Sequence, residues 1–151
     1  MISLQQLSEL HYQDQRVKHP NVPVHALVKK NYNDRTANAL QTALVDLINF
    51  KYGMAWRQGS EGRYRPGSQV TDVIGRTRIM KGTWLPGLHN GIGDVMSVVK
   101  GLSVAWEIKI GADTQKPDQK KFESSFTKAG GIYLIVKDWE DVWKKGKKYL
   151  K

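Results

Sequence analysis

Glu107 and Lys109 stand two residues apart inside GLSVAWEIKIG (101–111), where Ala105, Trp106, Ile108 and Ile110 read as strand material for a folded interior. In a strand, residues i and i+2 point to the same side, so the carboxylate and the ammonium share a face and Ile108 points the other way. Half-burying an acid beside an amine costs free energy unless something compensates it. Either the two simply pair, or they hold something between them. Asp94, after the glycine-rich HNGIG, supplies a second carboxylate. Val95, Met96, Val98 and Val99 read as one strand, Lys100-Gly101 as a turn, and 102–110 as the antiparallel partner. In such a hairpin the start of the first strand lies near the end of the second. Asp94 is therefore expected to meet Glu107 and Lys109 at one end of a sheet.

Two carboxylates and a lysine gathered there have a chemistry. Mg²⁺ takes hard oxygen ligands in an octahedron, with one or two carboxylates plus waters and phosphate oxygens. It polarises a phosphodiester and lowers the pKa of a bound water. A nearby lysine orients or deprotonates that water, or stabilises charge developing on phosphorus. The glycines before Asp94 are expected to let a phosphate backbone approach closely.

The elements that must position these groups follow from pattern. Leu4, Leu7 and Leu10 recur at helical spacing within 3–17, and HPNVPVH (19–25), with two prolines, reads as an extended connector. Ala37, Leu40, Leu44, Leu47 and Ile48 form one apolar face in 33–53, with Asn33 or Asp34 as the expected cap and Gly53 as the expected stop. Residues 54–68 read as a strand, a turn and a second strand, and 69–84 as a strand or a loop with a basic edge. Residues 116–129 read as a helix with Pro117 in its first turn, an apolar face of Phe122, Phe126 and Ala129, and Gly130 as its stop. GIYLIVK (131–137) is a strand, and 138–151 a short helix with a basic tail. The order predicts an α/β fold, a mixed sheet flanked by helices.

Composition bounds the partners. The 151 residues are 40% hydrophobic, enough for one ordinary core, and the net charge of +10 attracts polyanions, nucleic acid the commonest, with a membrane surface or ribosomal RNA attracting it equally well. There are no cysteines, which excludes disulfides and thiolate zinc sites and fits a reducing interior. No apolar run reaches the roughly 20 residues of a membrane span. MISLQQLSELHYQDQR has no basic region followed by an apolar stretch, so no signal peptide and a cytoplasmic location are expected.

The series Gly-x-Gly-Asp94, Glu107-Ile-Lys109, Gln119 on the following helix, then Gly130-Gly131-Ile-Tyr133 leading a strand, resembles the PD-(D/E)XK nuclease superfamily. More closely it resembles the VRR-NUC branch, the virus-type replication-repair nucleases. The likeness covers 34–140 and is strongest over 91–136. It implies a restriction-endonuclease-like mixed central sheet and a single nuclease domain over 1–151, with the core at 34–140 and a basic tail at 141–151. It implies that Asp94 and Glu107 bind metal with the Ile108 carbonyl, that Lys109 is the catalytic lysine, and that Gln119 lies near the active centre. Arg57, in AWRQGSEGR, matches a basic residue often found on the first strand. The implied activity is cleavage of DNA phosphodiesters with Mg²⁺ or Mn²⁺, often at branched structures such as Holliday junctions.

One departure concerns the first helix. Relatives carry a glutamate three residues before a glutamine, where this chain has Asn38 before Gln41. A neutral amide holds Mg²⁺ more weakly than a carboxylate, which leaves open one metal or two; Asp34 and Glu61 are the candidate substitutes. It also keeps a second class of function in play, a nucleic-acid-binding module with weak or lost catalysis.

Plainer roles stand beside these. Glu107 and Lys109 could be a solvated surface pair worth under about 1 kcal/mol. Arg57 could be a phosphate contact or mere surface charge, as could Lys116, Lys120 and Lys121. KKGKKYLK is either a solvated tail or a backbone-binding arm. His89 reads as a loop histidine, and Trp84, Trp106, Trp139 and Trp143 as core or interface. Cutting both strands with one centre per chain is simplest for two copies about a twofold axis, so a homodimer is expected.

Overall fold

The computed structural model describes residues 1–59, 63–85 and 91–150. They form two compact units, Met1–Gln58 together with Gly91–Lys151, and the inserted Gly59–Asn90, a division for which the sequence pattern drew no boundary.

Hydroxyl caps open the first two helices. At α1 (Leu4–Lys18) the Ser3 hydroxyl accepts the Gln6 N–H and Gln6 Oε1 accepts the Ser3 N–H, a capping box. At α2 (Ala37–Lys51) Thr36 Oγ1 accepts the Ala39 N–H. Thr36 thus takes the role expected of Asn33 or Asp34. Asn33 accepts the Arg35 N–H instead, and Asp34 accepts the Trp139 N–H at 3.0 Å. Nor does Gly53 stop α2, which is capped at Tyr52. Gly53 opens β1 (Gly53–Arg57), where any Cβ would lie 2.1 Å from the Val98 carbonyl oxygen.

The insertion is a two-stranded ribbon. β2 (Arg63–Arg65) pairs with β5 (Thr83–Leu85), and β3 (Ser68–Thr71) with β4 (Thr77–Met80), all antiparallel. Arg65 faces Thr83 and, three residues on, Ser68 faces Met80, so neither strand gains a residue across the interruption. Trp84, expected in a core or an interface, is exposed in this ribbon opposite the exposed Tyr64.

The hairpin behind the site is as the sequence predicts. Lys100 and Gly101 both take positive φ, 49° and 79°, as a two-residue type I′ turn requires. They join β6 (Val95–Val99) to β7 (Leu102–Ile108), antiparallel from Val99 opposite Leu102 to Val95 opposite Trp106. α3 (Pro117–Lys128) then crosses over to β8 (Ile132–Val136), which lies parallel to β7. Gly130 ends that crossover helix at φ +88°. The order β1-β6-β7-β8 makes a four-stranded mixed sheet. α4 (Trp139–Gly146) follows, with the Asp138 carboxylate accepting the Asp141 N–H.

Strand alternation divides this sheet into two faces. Val95, Val99, Val104, Trp106, Ile108 and Val136 join Leu7, Leu40, Leu44, Leu47, Ile48, Val142 and Trp143 in one apolar core. The buried Trp106 indole donates to Ser97 Oγ at 2.9 Å, so its N–H is satisfied. Ala105, Glu107 and Lys109 point to the opposite face, the side of Tyr133 and α3. The C-terminal segment is no loose tail from 141: α4 runs to Gly146, and Leu150 is 3% exposed in the core. No helix among the described residues is long and apolar enough to cross a membrane.

Candidate active site

Glu107 is buried at the end of β7, on the face away from the main core. Its Oε1 lies 2.9 Å from Lys109 Nζ, and the two side chains are 1% and 6% exposed, so this is a buried pair and not a solvated one. Two more of its lone pairs are taken up from two other elements, as a buried carboxylate requires, and one on Oε2 stays open among the described residues. Gln119, in the first turn of α3, donates its Nε2–H to Oε1. Its own Oε1 accepts the Lys116 backbone N–H at 2.8 Å, which fixes the orientation of the amide. From β8, Tyr133 Oη donates to Glu107 Oε2 at 3.1 Å. Tyr133 reaches it because β8 is parallel to β7 in a register that sets Tyr133 beside Ala105 and on Glu107's face.

Asp94 arrives as the hairpin predicts. It immediately precedes β6, and its Oδ2 accepts the Ile108 N–H at 2.8 Å. The Lys109 N–H donates to the Val136 carbonyl on β8, so the N–H and C=O of Ile108 both point the other way, to Asp94's side of β7. Three side chains distant in sequence, Asp94, Glu107 and Gln119, thus meet around Ile108 and Lys109 at one end of the sheet.

The glycines before Asp94 serve the protein's own backbone. Gly91 has φ +81°, and a Cβ there would sit 2.4 Å from the Asp118 carbonyl. At Gly93 it would sit 3.1 Å from the Trp106 carbonyl oxygen. They bring the strand entry against β7 and the start of α3.

Two participants escaped the sequence reading. Asp113, four residues after Lys109, accepts from Lys109 Nζ at 3.2 Å at the exposed mouth of the buried pair. Tyr133 figures in the sequence only as part of a strand motif. The available signals were the i+4 acid after the Gly111 turn and the parallel βαβ register.

The side chains of Arg57, Asn38, Lys116 and Lys120 make no bond to Asp94, Glu107 or Lys109. Arg57 pairs with Val95, which puts it on the face covered by α2. Its guanidinium donates to Asn38 Oδ1 at 2.5 Å, to the Asn38 carbonyl at 2.7 Å, and to Thr42 Oγ1. Arg57 and Asn38 are therefore partners of each other. Lys116, Lys120 and Lys121 are exposed along α3. Asp34 is tied to the start of α4 through the Trp139 N–H. Glu61 and His89 lie outside the described residues.

Burial sets the electrostatics. Desolvation raises the pKa of Asp94, against the lowering effects of the Ile108 N–H and the Lys109 charge. Desolvation also raises that of Glu107, helped by the neighbouring Asp94 charge and opposed by Lys109. For Lys109 desolvation lowers the pKa, but the bonds to Glu107 and Asp113 outweigh it and the ammonium is held above its ordinary value. Asp113 is lowered, chiefly by Lys109. The buried Glu107 and the half-buried Asp94 thus lack positive charge, with one lysine between three acids.

The donor set fits a hard divalent cation. Asp94, Glu107 and the Ile108 carbonyl offer only oxygen, and Asp94 is partly exposed. No cluster of three or more His, Cys, Asp or Glu suited to a metal occurs among the described residues, so solvent and substrate oxygens would complete an octahedron. Compared with known proteins, the sequence matches no family model and shows no significant similarity to a curated protein.

Proposed function

We propose that the chain is a metal-dependent DNA endonuclease hydrolysing phosphodiester bonds, with a restriction-endonuclease-like sheet of the PD-(D/E)XK, VRR-NUC type. The observation that carries this is the gathering of Asp94, Glu107 and Lys109 at one sheet end, with Gln119 and Tyr133 fixing Glu107. Mg²⁺, or Mn²⁺ in its place, bound through Asp94, Glu107 and the Ile108 carbonyl supplies a polarised phosphoryl oxygen and an acidified water. Asp94 and Glu107 orient by their fixed geometry. Gln119 holds Glu107 on one side and the α3 backbone on the other, so the carboxylate does not reorganise. Lys109, protonated at neutral pH, donates hydrogen bonds to the charge that develops on the phosphate.

The +10 charge supports a nucleic-acid substrate, and the exposed Lys116 and Lys120 beside Gln119 offer backbone contacts. Branched DNA, action in the cytoplasm and a homodimer with one centre per copy complete the proposal. The exposed cross-strand neighbours Met54 and Val98, with Trp56 beside them, supply apolar surface for a second copy. The alternative is a binding module with weak or lost catalysis, favoured by one observation: Asn38, in place of a helix carboxylate, is engaged by Arg57.

Plasmid and four-way-junction cleavage decides between them. Mg²⁺-dependent cutting by wild type, abolished by EDTA, Asp94→Ala and Lys109→Ala, is the expected result. Equal cutting by all three proteins would mark a contaminant, and salt-dependent binding without cutting would leave the binding module.

A further inference from the structure

The insertion carries groups that the nuclease centre does not use. From Arg63 to Leu85 the sequence holds Arg63, Arg65, Arg76, Arg78 and Lys81 against one acid, Asp72. That acid is occupied in building the tip. Asp72 Oδ1 accepts the N–H groups of Ile74 and Arg76, at 3.0 and 2.8 Å, and the Asp72 N–H donates to the Arg76 carbonyl. Gly75 takes φ +80° to close the turn, and its N–H donates to the Asp72 carbonyl. The turn is closed by its own hydrogen bonds, and what it displays is apolar: Val73 is fully exposed and Ile74 is 69% exposed.

Behind the tip, both strands of the β3–β4 hairpin are exposed along their whole length. The Thr71 and Thr77 hydroxyls lie 3.2 Å apart on one face. Val70, Arg78 and Met80 therefore share the other face, with Arg76 following at its tip end. An isolated hairpin of this kind is marginal in water and gains from a partner that covers it. That partner must accept aliphatic side chains at the tip and guanidinium groups a few ångströms behind it. A protein groove taking Val73 and Ile74 would need acids to pair both arginines. Duplex DNA offers both surfaces at once: phosphates along the groove walls and base steps that apolar wedges part.

We infer that the 63–85 ribbon is a DNA-gripping arm that lays Arg76 and Arg78 on the phosphates of a duplex and presses Val73 and Ile74 against a base step, kinking it. The arm spans about 30 Å at the rise of an extended strand. This rests on the proposed function only in taking DNA as the substrate; it assigns the grip to an element separate from the catalytic residues.

The test uses the full chain in EDTA, where nothing is cut. Binding to a fluorescent 30-base-pair duplex is followed by anisotropy over a KCl series, and bending by energy transfer between dyes at the duplex ends. Arg76→Ala/Arg78→Ala is expected to weaken binding and to shrink the salt slope by about two. Val73→Ser/Ile74→Ser is expected to keep the slope and lose the bend. Both pairs are exposed, so melting of the variants should match wild type; a match keeps any loss of binding attributable to contact. Variants that bind and bend the duplex as wild type does overturn the arm, even if Mg²⁺-dependent cleavage is found. A defect confined to single-stranded DNA also overturns it. Arm-dependent duplex binding without metal-stimulated cutting sustains the arm and sinks the nuclease instead.

Discussion

Lys109 Nζ and Glu107 Oε1 are 2.9 Å apart inside the protein, with neither side chain more than 6% exposed. Pairs of this kind are costly to break and cheap to replace whole. Glu107→Ala strands the ammonium with only the exposed Asp113, and leaves Gln119 and Tyr133 without their acceptor. A destabilisation of about 3–5 kcal/mol is expected in urea unfolding. The double variant Glu107→Leu/Lys109→Met should recover most of it. A single-variant cost below about 1 kcal/mol would mean that the pair behaves as a solvated one.

The pair was half legible in the sequence. Period-two alternation put Glu107 and Lys109 on one face, and Lys100-Gly101 fixed the hairpin that returns Asp94 to them, because a two-residue turn sets register. Gln119 was placed by resemblance, but its bridging amide depends on α3 beginning beside Gly91, a tertiary closeness. Local chemistry misled at both ends of α2. Thr36, not Asn33 or Asp34, caps it, since Asp34 is recruited across the chain by Trp139. Residue type alone leaves Trp84 between core and interface, and the structure rules out the core. Its exposure follows from belonging to a ribbon too narrow to have an interior. Arg57 was placed on the correct strand, but strand parity sends it to Asn38 and not towards Glu107.

A bound divalent cation should show itself without any cleavage. Ligand at a hundred times its Kd stabilises the native state by about 2.7 kcal/mol. For a chain of this size that raises Tm by roughly 5–10 °C. Mn²⁺ is expected to produce the shift in wild type and none in Asp94→Ala. Gln119→Ala should retain the shift but need about tenfold or more Mn²⁺ to reach it, since Gln119 holds a ligand and is not one. Identical titrations for wild type and Asp94→Ala would remove Asp94 from the metal site.

Burial raises both carboxyls, and this has a sign in pH. Above the ordinary values of 3.8 for Asp94 and 4.5 for Glu107, the native carboxyls retain protons that the unfolded chain has released. Unfolding then releases protons, so their contribution to stability is present at low pH and lost as pH rises through the folded pKa values. Asp113, lowered by Lys109, acts in the opposite sense and loses its contribution as pH falls. In EDTA, Asp94→Asn/Glu107→Gln should therefore gain stability relative to wild type as pH rises from 4 towards 7. Unfolding curves at a series of pH values check this, and a constant difference would contradict the raised pair.

Gly91 sits where the chain enters the site, at φ +81° with the Asp118 carbonyl in the space of a Cβ. Gly91→Ala meets both a strained backbone and a backbone clash, each worth about 1–3 kcal/mol. The start of α3 must move, and with it the Gln119 amide. Lower stability and weaker Mn²⁺ binding together are expected from calorimetric titration of the variant. Gly101→Ala is the control, because its φ of +79° imposes strain with open space around it. It should destabilise without touching the metal affinity.

Leu150 decides what the basic C-terminal segment is for. It lies 3% exposed, and Gly146 packs so closely on the Trp106 ring that a Cβ would fall 2.6 Å from it. The segment is thus a clamp on the tryptophan whose neighbour in sequence is Glu107. Leu150→Ala should cost about 2–5 kcal/mol, the range for a truncated core leucine. Gly146→Ala should cost about 1–3 kcal/mol by overpacking. Lys147→Ala/Lys148→Ala, both exposed, should change stability by less than about 0.5 kcal/mol. Thermal unfolding of the three variants separates a packed segment from a free cationic arm. Near-equal stability for all three would return the segment to solvent, while the expected order assigns its role to Leu150 and Gly146 and not to the lysines between them.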